Sequence, residues 1–300
     1  VQAFNYLKDK AEDFFGAFRD TVPDMGAIEY TAPVISCIKP FNQTVVSTTD
    51  TSANVRWNEG GTATQWEIEY DTAGFTLGTG MTVIVNTDTF TTITGLDDQT
   101  TYDWYVRAIC GPADSSFWVG PNTFTTPCSP LVAPLQENFD GLALVSPYTD
   151  LPSCWDPQVG PDFWDVTNDI INVGHTYLPN IGDHTTGTAN YMWIDASSNI
   201  LANAMESPLI DISGLTAPYA GFWFASDNTT NSINHTIVLE AWNGIGWDTI
   251  VTERGNFTGW VEVADTLPAG IPNVTRFRIS AVADPLGTSS TYFYNDLGVD

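Results

Sequence analysis

Gln65-Trp66-Glu67-Ile68-Glu69-Tyr70 alternates strictly between apolar and polar side chains. A period of two places Trp66, Ile68 and Tyr70 on one face of an extended segment and Glu67 and Glu69 on the other, as a half-buried strand requires. The same pattern recurs on both sides of it. Ala53-Asn54-Val55-Arg56-Trp57 puts Val55 and Trp57 on one face, and Thr101 to Cys110 lines up Tyr102, Trp104, Val106 and Ala108. Thr82 to Val85 and Phe90 to Ile93 read as further strands, and Phe124-Thr125-Thr126-Pro127 closes the series. Short strands at this spacing over residues 34–127 predict a β-sandwich, with these aromatics in its core.

Trp57 in the second strand, Trp66 and Tyr70 in the third, and Gly95-Leu96 followed by Tyr102 occur together and in order. In this combination the segment resembles a fibronectin type III domain. The resemblance implies a corner at which the Tyr102 hydroxyl ties back to the preceding loop. No Arg-Gly-Asp triplet occurs, so integrin recognition is not implied.

Cys128-Ser129-Pro130 to Pro134 reads as a linker over 128–134, and residues 135–300 as a larger second domain. Gln136-Glu137-Asn138-Phe139-Asp140 is its expected first strand. Tyr191 to Asp195, Ala220 to Ala225, Thr236 to Ala241, Trp247 to Thr252, Trp260 to Asp265, Arg276 to Ala281 and Thr291 to Val299 follow. About eight strands with turns such as Trp242-Asn243-Gly244 suit a jelly roll. The whole chain is therefore expected to be all-β.

Glu137-Asn138-Phe139-Asp140, Cys154-Trp155, Trp164, Gly182-Asp183-His184-Thr185-Thr186-Gly187, Tyr191-Met192-Trp193-Ile194-Asp195, Ser207-Pro208-Leu209-Ile210 and Asn295-Asp296-Leu297-Gly298-Val299-Asp300 come in that order. Together they resemble the MAM family of adhesion modules, which are extracellular jelly rolls. The chain departs from animal MAM domains in lacking their second cysteine pair. It is closer to the bacterial secreted version, found beside fibronectin modules in large surface proteins and type IX secretion cargo. Residues 1–33 differ from the rest: Asp13-Phe14-Phe15-Gly16-Ala17-Phe18-Arg19 and Pro23-Asp24-Met25-Gly26-Ala27-Ile28-Glu29-Tyr30 resemble the closing segment of secreted parallel β-helix domains. Thr31-Ala32-Pro33 then reads as a linker held extended by proline. That resemblance implies that the chain is covalently part of a longer one.

Composition narrows the partners. Nine Lys and Arg stand against 36 Asp and Glu, a net charge of −27. Nucleic-acid binding needs basic residues for phosphate neutralisation, and binding to anionic membranes needs them too, so neither is expected. No stretch reaches the run of about 18 apolar residues that a membrane helix requires. The four cysteines allow three pairings. None lies in a Cys-x-x-Cys pair, so zinc is not expected, and an even number suits an oxidising compartment. One bond per domain, Cys37–Cys110 and Cys128–Cys154, is the favoured arrangement.

The Asp183-His184 pair has the residue types of a base and its orienter. Adjacent residues on an extended chain point apart, and neither a Gly-x-Ser-x-Gly elbow nor a spare cysteine supplies a nucleophile. The expected role of the loop is a turn fixed by Asp and Thr. His175, His184 and His235 lack zinc spacing. Calcium prefers carboxylate and carbonyl oxygens, and a jelly roll pairing its first and last strands would bring Glu137, Asp140 and Asp296 together with Asp183 nearby. Those four are the expected ligands of a structural calcium ion. Trp242 and Trp247 flank the Asn243-Gly244-Ile245-Gly246 turn and are the candidates for stacking on a glycan. Asp20-Thr21, Asp71-Thr72, Asp248-Thr249 and Asp265-Thr266, each followed by an aliphatic residue, match a bacterial O-glycosylation tripeptide that would modify Thr21, Thr72, Thr249 and Thr266. Asn42, Asn228, Asn234, Asn256 and Asn273 open Asn-x-Ser/Thr triplets.

The expectation is a non-catalytic part of a large secreted or cell-surface bacterial protein, mediating adhesion or presenting a ligand to an extracellular glycan or protein surface. A carbohydrate-binding accessory region of a secreted hydrolase and a passive stalk are the alternatives.

Overall fold

The computed structural model describes residues 37–143, 151–158, 164–168, 182–194, 203–226, 234–255, 259–287 and 296–300. The expected β-helix end at 1–33 and Thr21 lie outside them. The described residues form strands and turns with no helix, so the chain is all-β. They fall into two compact units that divide between Thr126 and Pro127.

The first unit is a two-sheet sandwich. One sheet has the order β1 (Phe41–Thr48), β2 (Ser52–Asn58) and, at its far edge, β5 (Phe90–Thr94). The other runs from β4 (Met81–Asn86) through β3 (Gln65–Thr72) to β6 (Thr101–Gly111), which pairs with both β7 (Asp114–Ser115) and β8 (Val119–Thr125). Alternation delivers one core between the sheets. Val55 and Trp57 from β2 and Ile93 from β5 meet Trp66, Ile68, Tyr102, Trp104 and Val106 from the facing sheet. Trp57, Trp66 and Trp104 are among its largest fully buried side chains. The corner forms as expected: the Asp97 N–H donates to the Tyr102 hydroxyl oxygen at 2.9 Å, just after Leu96 enters the core. Cys37 and Cys110 are bonded.

Among the described residues the second unit contains two five-stranded sheets and a small third one. In the first, β10 (Asp156–Gln158), β13 (Asn203–Glu206), β20 (Phe277–Val282), β16 (Thr236–Trp242) and β17 (Trp247–Arg254) lie side by side. In the second the order is β11 (Trp164–Thr167), β12 (Tyr191–Ile194), β21 (Leu297–Val299), β15 (Tyr219–Ser226) and β18 (Val261–Thr266). Met205, Ile237, Leu239 and Ile279 from one meet Trp164, Met192, Ile194, Phe224 and Val299 from the other in a single core. The third sheet joins β9 (Leu131–Val132) to β14 (Ile210–Asp211) and β19 (Val274–Thr275). So the stretch expected as a linker contains a strand: Leu131 and Ala133 N–H groups donate to the carbonyls of Leu209 and Asp211. Cys128 and Cys154 are bonded.

The expected first strand, Gln136 to Asp140, is not one. Phe139 has φ of 54° and its N–H donates to Glu137 Oε1, while Asn138 Nδ2 donates to Asp140 Oδ2. Local side-chain hydrogen bonds replace a ladder here. They drop Phe139 into the core, where it packs edge-on against Trp155.

Candidate functional site

The loop entering β12 is organised by one carboxylate. Asp183 accepts from the Thr186 N–H at 2.5 Å, the Thr186 hydroxyl at 2.9 Å and the Ala189 N–H at 2.6 Å. Gly182 sits at φ of 62°, where a Cβ would collide with the Gly187 carbonyl, so the loop folds tightly back on itself. Burial alone would raise the Asp183 pKa. The hydrogen bonds from Thr186, Ala189 and Thr188 outweigh it and hold the carboxyl below its ordinary value. Thr185 pins the loop to the sheet by donating its N–H and hydroxyl to Asp300 Oδ2. Asp300 shows the opposite balance: burial raises its pKa, the Thr185 hydrogen bonds lower it, and neighbouring Asp183 raises it further. The indole N–H of Trp260 donates to the Gly182 carbonyl at 2.9 Å, and its ring meets Tyr191 edge-on.

This arrangement decides what Asp183 and His184 can do. The expected separation of the two side chains arises in a turn, not in a strand. The Asp183 oxygens are engaged by the loop's own donors, while the exposed His184 ring lies flat on Trp223, with centroids 3.6 Å apart and planes 11° apart. A base and its orienter need a hydrogen bond between them. Here the carboxylate fixes a loop and the imidazole covers an indole.

The four expected calcium ligands occupy different settings. Glu137 is exposed and bound to its own turn, Asp183 is buried and serves its loop, and Asp296 is buried at the start of β21. Asp140 keeps one buried oxygen, Oδ1, without a hydrogen-bond partner among the described residues. Among those residues no three His, Cys, Asp or Glu side chains group to hold a metal ion.

Trp242 and Trp247 are cross-strand partners at the end of the β16–β17 hairpin. Both are half-buried, and their rings meet at 68° with centroids 5.5 Å apart. The Arg278 guanidinium lies 4.3 Å from the Trp247 ring centroid and donates through Nε to Glu240 Oε2 at 2.7 Å. The two tryptophans therefore form an edge-to-face corner, one of them covered by an arginine. Beside them, in register across the sheet, stand Asp156, Glu206, Arg278 and Glu240. Burial raises the Glu206 pKa, Arg278 and Arg276 lower it, and Asp156 and Glu240 raise it again. Sequence periodicity placed the tryptophans on this hairpin. Arg278, which covers Trp247 and pairs with Glu240, comes from β20, distant in sequence from the hairpin, and carried no local signal.

Thr72, Thr249 and Thr266 are exposed. Asp71 and Asp265 each accept the N–H of the threonine that follows, which fixes the dipeptide backbone. Asp248 instead accepts from Asn243 Nδ2.

No helix among the described residues is long and apolar enough to cross a membrane. No family model matches the chain. No curated protein matches it either. The fibronectin type III domain of the human collagen α-1(XX) chain is 26% identical over 33% of this chain and 94% of its own length, with a TM-score of 0.29. The FN5 domain of Drosophila Lar is 21% identical, covering 30% of this chain and 96% of its own, with a TM-score of 0.27. A structure described as that of a myokine is 26% identical over 31% of this chain and all of its own, with a TM-score of 0.27. These structural neighbours include fibronectin type III domains.

Proposed function

We propose that this chain is a non-catalytic part of a large secreted or cell-surface bacterial protein, and that it works in adhesion or ligand presentation through a fibronectin type III-like and a MAM-like module. The observation that carries the reading is the fate of the Asp183-His184 pair. The residues best suited to acid–base chemistry are spent on loop architecture and ring stacking. A disulfide in each unit supports an oxidising, extracellular setting. Exposed threonines after Asp71, Asp248 and Asp265 are compatible with O-glycosylation at Thr72, Thr249 and Thr266.

The test is equilibrium binding of the intact chain to immobilised glycans and extracellular-matrix proteins. Saturable capture by at least one component is the expected result, and absence of capture by any would leave only the passive stalk. The accessory carbohydrate reading makes a narrower prediction on the same panel. If it holds, capture is by a glycan and falls at least ten-fold in Trp242→Ala and in Trp247→Ala. The edge-to-face geometry of that pair favours packing, and the expected outcome is binding that both variants retain.

A further inference from the structure

We infer that the outer face of the β4–β3–β6 sheet in the first unit is a docking site for a basic side chain of a protein partner. A cavity of about 360 Å³ opens there, lined by Glu67, Glu69, Leu77, Thr82, Arg107 and Trp118. That volume is within the range of sites that take a small group. Register builds it: Thr82, Glu69 and Tyr105 lie in one cross-strand row, and Ile84, Glu67 and Arg107 in the next.

The charges in it do not balance. Glu67 Oε2 takes both contacts from Arg107, Nε at 2.8 Å and Nη2 at 2.6 Å. The Arg107 guanidinium also lies 4.5 Å from the Trp118 ring centroid, so it is held in place as part of the wall. Glu69 is only 2% exposed although it points away from the core. The β3–β4 connection folds over it, and Oε1 accepts the N–H groups of Gly78 at 2.5 Å and Gly80 at 2.9 Å. Among the described residues the hydrogen bonds to these two carboxylates fall on Glu67 Oε2 and Glu69 Oε1, leaving Glu67 Oε1 and Glu69 Oε2 unused, and Arg107 is the one basic residue lining the cavity. Two carboxylates facing one arginine leave a net negative site.

Unspent carboxylate oxygens at a cavity with the apolar walls of Leu77 and Trp118 match a lysine or arginine. Such a side chain buries its stem on apolar surface and gives its head charge-assisted hydrogen bonds. Exposed apolar residues on neighbouring positions argue for a protein rather than a free amine: Ile84, in the Glu67–Arg107 cross-strand row, is 48% exposed, and Phe117, next to Trp118 in sequence, is 84% exposed. Aromatic residues are enriched at protein interfaces relative to the rest of the surface. The chain's charge of −27 would speed the encounter with a basic partner. The inference does not depend on adhesion, because its elements lie in the first unit alone.

The test is a titration of the intact, isotope-labelled chain, followed through the Gly78 and Gly80 amides and the Trp118 indole. The probe is a short Phe-Lys peptide with blocked termini, with its Phe-Arg analogue, its Nζ-acetylated form and n-butylamine as comparisons. Saturable shifts with the lysine or arginine peptide are expected, at least ten-fold weaker for the acetylated form and for butylamine, and declining with added salt. Glu69→Gln should weaken binding at least ten-fold. Because that variant also alters the loop over Glu69, Thr82→Lys is the second arm: Thr82 is exposed, and a lysine there fills the site with the chain's own cation. Unchanged binding in Thr82→Lys, equal binding of the acetylated peptide, or no saturation by either basic peptide overturns the proposal. Butylamine binding as tightly as the peptide overturns it too, by making this a site for free amines.

Discussion

Asp183 and Asp300 are joined through Thr185 and Thr186 yet respond to pH in opposite senses. Asp183 is held below its unfolded pKa, so its contribution to stability is full above the unfolded value and is lost as pH falls through the folded one. Asp300 is held above its unfolded pKa, so its ionisation costs stability as pH rises through the window between those values. Asp183→Asn removes one acceptor from a buried network and should cost about 1–3 kcal/mol at neutral pH. Melting curves should show that loss shrinking toward pH 3. For Asp300→Asn the difference from the parent should move the other way, being more favourable at pH 7 than at pH 3. Parallel pH profiles for the two variants would contradict the assignment. At this scale the sequence suggested that Asp183 fixes a turn. It was silent on Asp300, whose partner lies 115 positions away.

Elements were legible where alternation was unbroken. β2, β3 and β6 have buried positions at every second residue through most of their length, and hydrophobic pattern alone locates them. β1 escaped because two register irregularities, at Phe41/Thr44 and Val45/Ser47, break the period of two. Gln136 to Asp140 misled for the opposite reason: its composition reads as a strand, but Asn138 and Glu137 bond their own backbone. Alternation places Glu69 on the outward face, and it lies there, but the Gly-rich stretch from Gly74 to Gly80 covers it. The corner before β6 was legible from Gly95, Leu96 and Tyr102, and it offers a clean test. Tyr102→Phe keeps the ring stacked on Phe124 and removes only the acceptor for the Asp97 N–H. It should cost about 1 kcal/mol in denaturant unfolding of the first unit. No change would mean that water replaces the hydroxyl without loss.

On the scale of the whole molecule, each unit carries one disulfide that closes a loop of different length. Cys37–Cys110 spans 73 positions and Cys128–Cys154 spans 26. Loop-closure entropy assigns them about 4.4 and about 3.5 kcal/mol. Replacing each pair with alanine should lower the melting temperature of its own unit, and comparable melting of both units in the reduced and oxidised chain would remove the disulfides from the account. Cysteine count and spacing made this staple legible, whereas the division at Thr126 and Pro127 was blurred because β9 uses part of the expected linker. The proposed reading, that the chain holds other molecules and leaves them chemically unchanged, rests on the commitment of Asp183 and His184 to loop architecture and ring stacking. The most direct measurement is the fate of whichever immobilised component captures the intact chain, followed by mass spectrometry beside a His184→Ala variant. Recovery of the intact component, with binding unaltered by the variant, is expected. Cleavage or modification of the component that disappears in His184→Ala would contradict it.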